Sequence, residues 1–259
     1  MDARLTIVGS ADAFNACGRS HSCYLLEGDG FGPIMIDFGA TALGALRRIG
    51  REPTEIRAFA ITHLHGDHIG GFPFLVIDGM FNAVRHADLE VLGPVGVERR
   101  VGAFLEAAYG DLSNHTRPYS LTFRELEPGQ EVELAGARVR GFPAEHMDPP
   151  ERPLCLRITT PSGRVVAFSG DTMMCDALLE AGADADVLVA ECSGLAPPMG
   201  RHCTWVDWRD ALPRCSARRV VLSHLGRAVR ERSDELAREA PRGPALNFAD
   251  DGMVFDLGT

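Results

Sequence analysis

"AFAITHLHGDHIGG" spans residues 58–71 and places His63, His65, Asp67 and His68 within six consecutive positions. The residues before them, Ala58 to Ile61, form an apolar run that predicts a buried strand. Burying so many polar groups without partners is costly, and a bound metal removes that cost. The cluster therefore points to metal ligation.

Three other strand-like runs end in the same way. "ARVRGFPAE" (137–145) leads into His146, "RVVAFSG" (164–170) into Asp171 and "RRVVLS" (218–223) into His224. Strand ends gathered at one edge of a layered sheet form a natural ligand site. Together the four strand ends offer seven donors: His63, His65, Asp67, His68, His146, Asp171 and His224. A closed structural zinc site needs four ligands and usually includes thiolates. Seven nitrogen and oxygen donors exceed that, so two divalent ions, Zn2+ or alternatively Mn2+, are expected. His21, His86 and His115 stand alone and read as ordinary surface or core residues.

The rest of the chain narrows the setting. Its 259 residues suit one large layered domain over 1–259, and 45% hydrophobic with 24% charged residues is an ordinary globular balance. The seven scattered cysteines contain no C-x-x-C, which argues against a disulfide framework or a cysteine-based zinc knuckle and for a cytoplasmic setting. The opening residues show no secretory signal, and no apolar run reaches membrane-spanning length. A net charge of −10 offers no global attraction to nucleic acid or to an anionic membrane.

Strand-like runs lie at 4–10, 21–28, 33–39 and 55–62, then at 131–144 (a hairpin turning near Gly136), 153–160, 164–170, 186–192, 218–224 and 252–257. Helical spacing is expected at 41–50, 68–79, 94–108, 173–181, 204–213 and 232–240. Two batches of strands with attached helices predict two similar halves in one α/β body.

"THLHGDH" (62–68) resembles the T-H-x-H-x-D-H signature of the metallo-β-lactamase superfamily, and His146, "SGDT" with Asp171 and "LSHL" with His224 follow in its order. The resemblance covers nearly the whole chain and implies an α/β fold of the four-layer αββα type. Gly66 then Asp67 differ from the H-x-E-x-D of the flavodiiron branch, which disfavours a redox role. A narrower likeness is to the ribonuclease Z and phosphodiesterase branch. "LTIVGSADAFNACGRSHSCYLL" (5–26), "MIDFGATAL" (35–43), "VAECSG" (189–194), "RHCTWVDW" (201–208) and "FADDGMVFDL" (248–257) each resemble one of its motifs. Carried over, Glu191 would orient His202, and His202 would stabilise or protonate a phosphate oxygen in the transition state. We assign His63, His65 and His146 to one ion and Asp67, His68 and His224 to the other, with Asp171 bridging; Asp67 also serves catalysis by orienting the nucleophilic hydroxide that the metals generate.

The departures from the branch bear on substrate. Only "MDPPERPLCLRITTPSGRVVAFSG" (147–170) separates His146 from Asp171, which leaves no room for the tRNA-gripping arm of ribonuclease Z. The expected activity is a phosphodiesterase acting on a small phosphodiester or cyclic nucleotide; tRNA and membranes are not expected partners, and a homodimer stays open. The alternative is a carbonyl hydrolase (a lactonase, thioesterase or β-lactamase) using the same metals; a third, non-enzymatic reading is a metal-bound sensor or scaffold. Arg19, His115 and Arg117 are candidate substrate contacts, 109–121 a candidate wall of the site, and Trp205 and Trp208 read as packing residues.

Overall fold

The computed structural model describes residues 2–112 and 115–258. One seven-stranded sheet contains β1 (Arg4–Gly9), β2 (Cys23–Gly28), β3 (Phe31–Ile36), β4 (Ala58–Ala60), β5 (Leu89–Gly93) and β6 (Leu121–Glu125), with β14 (Val254–Asp256) at its first edge. A second seven-stranded sheet runs β13 (Ala245–Phe248), β12 (Arg219–Ser223), β11 (Val187–Glu191), β10 (Val165–Phe168), β9 (Leu154–Thr159), β8 (Ala137–Pro143) and β7 (Glu131–Leu134). In each sheet four neighbouring strands are parallel, β3 to β6 and β10 to β13, and the remainder pair antiparallel.

The order of layers follows from which side chains each strand buries. On β2 and β3, Tyr24, Leu26, Ile34 and Ile36 turn inward to meet Val139, Ile158, Val166 and Phe168 of the other sheet. Their neighbours Cys23, Leu25 and Met35 turn outward, against Ala45 and Leu46 of α1 (Ala42–Arg48), Phe72 and Leu75 of α3 (Phe72–Phe81), and Val101 of α4 (Val97–Tyr109). The second sheet is covered in the same way by Leu178 of α5 (Asp176–Ala181), Trp208 of α6 (Trp205–Ala211), Val229 of α7 (Arg227–Glu231) and Leu236 of α8 (Ser233–Glu239). Strands buried on both faces are apolar at successive positions, which is why their sequences read as runs rather than alternations. The result is the four-layer αββα metallo-β-lactamase sandwich.

Several expected boundaries shift. The helix expected over 68–79 is two helices, α2 (Gly66–Ile69) and α3. The break falls at Gly70 and Gly71, where a Cβ would meet the Gly66 and Gly39 carbonyl oxygens, each at 2.4 Å; Pro73 then opens α3. The strand expected at 33–39 stops at Ile36 because Asp37 takes a left-handed conformation with φ 57°. The hairpin does turn at Gly136, whose φ is +87°. Strands β5, β6 and β13 and the short α7 were not expected.

Candidate metal centre

The loops that follow β4, β8, β10 and β12 meet at one edge, between the two sheets. Two groups of donors converge there: His63, His65 and His146, and Asp67, His68, Asp171 and His224, each with ligand atoms within 4.8 Å of one another. All seven residues singled out from the sequence as donors are therefore brought together. Asp171 lies between the groups, its carboxylate 3.7 Å from His63 Nε2, 3.3 Å from His68 Nε2, 3.8 Å from His146 Nε2 and 3.4 Å from His224 Nε2.

Four of the five rings are aimed by a partner on the far nitrogen. His63 Nδ1 lies 3.1 Å from Thr62 Oγ1, His68 Nδ1 2.7 Å from Asp37 Oδ2, His146 Nδ1 3.0 Å from the Arg201 carbonyl and His224 Nδ1 2.9 Å from Ser193 Oγ. Their Nε2 atoms are left to face the centre, together with His65 Nδ1, which sits 3.0 Å from His146 Nε2. Metal-binding imidazoles are oriented by such outer partners. Asp37 serves two elements at once, because it also accepts hydrogen bonds from the Thr62 amide and hydroxyl, both at 2.8 Å.

Whether the residues fit a cation is decided by what they leave unsatisfied. His63 Nε2, His68 Nε2 and Asp171 Oδ1 are buried without a hydrogen-bond partner. Buried polar atoms of this kind are normally paired, and these three face the same point. Burial, aided by His68, holds His63 well below the ordinary imidazole pKa, so a lone pair is on offer at neutral pH. Burial alone would raise Asp171, yet His224 and His68 outweigh it and hold the carboxylate well below its usual range. The donor set fits divalent cations of the zinc kind.

Beside the donors stands a second constellation. Glu191, at the end of β11, is buried and accepts hydrogen bonds from the Thr172 amide at 2.8 Å and the Ser193 hydroxyl at 2.7 Å; His202 Nδ1 lies 2.9 Å from its Oε1. The Ser193 hydroxyl has one proton, and the ionised carboxylate can only accept. That proton therefore goes to Glu191, and Ser193 Oγ must accept from His224 Nδ1–H. The direction puts a proton on His224 Nδ1 and turns its Nε2 toward the centre, where Asp171 and Asp67 outweigh burial and raise the pKa of the ring to about 9. Asp37, Thr62 and Ser193 were not picked out from the sequence. Asp37 carried the same signal as the other sites, a polar residue closing an apolar strand, in "PIMID".

The remaining candidates lie elsewhere. Arg19 forms a two-pronged ion pair with Asp250. Arg117 borders a groove with Val101 and Leu105 of α4, and His115 Nδ1 is 2.9 Å from the Asp111 carbonyl of its own loop. Within the segment 109–121, Ser113 and Asn114 lie outside the described residues. The cavity over the donors is bordered instead by Asp12, Ala13, Phe14, Ser193, Met199 and His202. Trp205 and Trp208 are packed into the core as expected.

Fold and donor set define a metal-dependent hydrolase of the metallo-β-lactamase superfamily. Within it the chain belongs to the family described as Anti-Pycsar protein Apyc1, whose model matches residues 3–240. It is 29% identical over 226 residues to the uncharacterised protein ML1173 of Mycobacterium leprae, covering 86% of this chain and 77% of that one. It is 24% identical to ribonuclease Z of Methanothermobacter thermautotrophicus, across 98% of this chain and 96% of the relative. The crystal structure of the metallo-β-lactamase fold protein YhfI from Bacillus subtilis superposes with a TM-score of 0.78 at 20% identity, covering 99% of this chain and 100% of that one. Among the described residues, no helix is long and apolar enough to cross a membrane.

Proposed function

We propose that this protein is a dinuclear metal-dependent phosphodiesterase that cleaves a small phosphodiester, with cyclic nucleotides as the leading candidates. The observation that carries the reading is the Glu191–His202 pair standing beside the donor cluster, with His202 Nδ1 3.9 Å from Asp171 Oδ2. Acyl transfer at the same metals would not need this pair. The ribonuclease Z relative supports phosphodiester chemistry. Size supports a small substrate: the cavity over the donors is about 150 Å³, and the chain between His146 and Asp171 is taken up by two strands, β9 and β10.

When bound, two divalent ions, zinc or manganese, supply an activated water and charge neutralisation at the phosphate. His63, His65 and His146 would hold one ion, and Asp67, His68 and His224 the other, with Asp171 shared. The protein's own residues provide the rest. Asp67, whose Oδ2 is 3.3 Å from His224 Nε2, accepts a hydrogen bond from the attacking water and aims it. Glu191 holds the Nδ1–H of His202, which leaves Nε2 to carry a proton toward the phosphate oxygens or the leaving group. Burial disfavours the charged form of His202, but the hydrogen bond and charge of Glu191 outweigh it and hold the pKa above the ordinary 6.5. His202 is thus better supplied with a proton at neutral pH than a free imidazole. Seven free cysteines support a reducing, cytoplasmic setting.

Purified protein assayed on bis(p-nitrophenyl) phosphate, nucleoside cyclic phosphates, precursor tRNA, a lactone and a thioester, alongside elemental analysis, tests this. The expected result is about two metals per chain, phosphodiester turnover and no tRNA processing. Rapid lactone or thioester turnover without phosphodiesterase activity would replace the reading with carbonyl hydrolysis.

A further inference from the structure

We infer that Phe14 is a specificity-determining platform, on which a planar ring carried by the phosphodiester substrate stacks. The inference rests on the phosphodiesterase reading and deepens it. Phe14 is 86% exposed, the highest value among the exposed large hydrophobics of the described residues. A single exposed apolar side chain is ordinary, but this one borders the cavity that holds His65, His146 and His202. Ala13 and Met199 border the same cavity, so an apolar rim surmounts a floor of charged and imidazole groups. A substrate that matches both has an anionic centre and a flat apolar body.

The loop that carries Phe14 is fixed before any ligand arrives. Asp12 Oδ1 accepts from the amides of Phe14 and Ala16, both at 3.1 Å, and the Asn15 side chain donates to the Arg19 carbonyl at 2.9 Å. Asp251 ties both stems, accepting from the Ser10 amide at 3.0 Å and the Ser20 amide at 2.9 Å. Asn15 and Cys17 both take left-handed conformations with φ 54°, which commits the turn to one shape. A ring presented by so constrained a loop loses little freedom when a partner stacks on it. Met199 adds an adaptable thioether; it packs on Gly194, where a Cβ would lie 2.9 Å from Met199 Sδ.

The test compares two substrates with the same scissile group: a nucleoside 3′,5′-cyclic phosphate and the base-free ribose 3′,5′-cyclic phosphate. In Phe14→Ser, KM for the nucleoside substrate should rise roughly 5- to 150-fold, the range for one lost aromatic stack. Its kcat should change little, and both constants should stay level on the base-free substrate. Phe14→Tyr should restore the nucleoside KM. In Phe14→Trp, a non-hydrolysable nucleoside cyclic phosphorothioate should quench tryptophan emission saturably, and its base-free counterpart should not. The inference is overturned if Phe14→Ser leaves the nucleoside KM unchanged, or raises both KM values alike, or alters only the sedimentation of the protein. Failure of wild type on every phosphodiester would remove the functional reading and this inference together, a result distinct from turnover that ignores Phe14.

Discussion

The two sheets supply the centre in opposite ways. The first gives four donors from one stretch, His63 to His68, where the loop after β4 turns into α2. The second gives three, His146, Asp171 and His224, each from a different strand end and separated by 25 and 53 residues as counted from their numbers (171 − 146 and 224 − 171). The compact set is positioned mainly by local backbone: His68 and Ile69 both donate amide hydrogens to the His65 carbonyl at 3.0 Å. The dispersed set is positioned by contacts between elements, through Arg201, Glu191 and Ser193. Local geometry makes donors near-inseparable, whereas long-range geometry lets each be adjusted alone.

This contrast can be attacked at its joint. Asp171 belongs to the dispersed set but faces both groups, so Asp171→Ala should abolish turnover and lower metal content together. Elemental analysis showing full metal content in that variant would break the assignment of Asp171 as the shared ligand.

Next in size is the acid. His202→Ala should leave metal content near wild type while kcat on a phosphodiester falls by roughly 10²–10⁴. Glu191→Gln should fall less, and its pH profile gives a sign. Glu191 raises the His202 pKa, so the protonated acid persists to higher pH in the wild type. Removing that charge should move the alkaline limb of kcat to lower pH. An unmoved limb would detach His202 from proton donation, and loss of metal in His202→Ala would make it a ligand.

The smallest expected change sharpens the dispersed side alone. Ser193→Ala removes the acceptor for His224 Nδ1–H and should weaken metal affinity by roughly 10–100-fold, the usual cost of losing an outer partner. Ser193→Thr keeps the hydroxyl and should recover most of it. Competition with a graded chelator reads both.

The same contrast explains what the sequence made legible. The compact donors and the strand ends of β4, β8, β10 and β12 were readable because a polar group that closes an apolar run is conspicuous. Asp37 closes β3 in the same way, but its role depends on His68 lying 2.7 Å away across 31 residues, which no local pattern encodes. Ser193 was hidden for the same reason, since its meaning lies in a proton direction set by Glu191 and His224. Among strands, β6 was missed because it is an edge strand whose residues are mostly exposed. The helix expected over 68–79 failed at Gly70 and Gly71, where close backbone approach overrode a helical hydrophobic pattern.

One pairing has a consequence for synthesis. Arg4 of β1 lies opposite Asp256 of β14, and Asp251 holds the stems of the Phe14 loop. On a ribosome, β1 emerges before β14 and its outer edge has no mate until β14 follows, an interval of roughly 10–50 s at ordinary elongation rates. During that interval an unpaired strand edge is open to other chains. The nascent chain thus carries a bare β1 edge across that interval, and the Phe14 loop is fastened only after Asp251 has emerged.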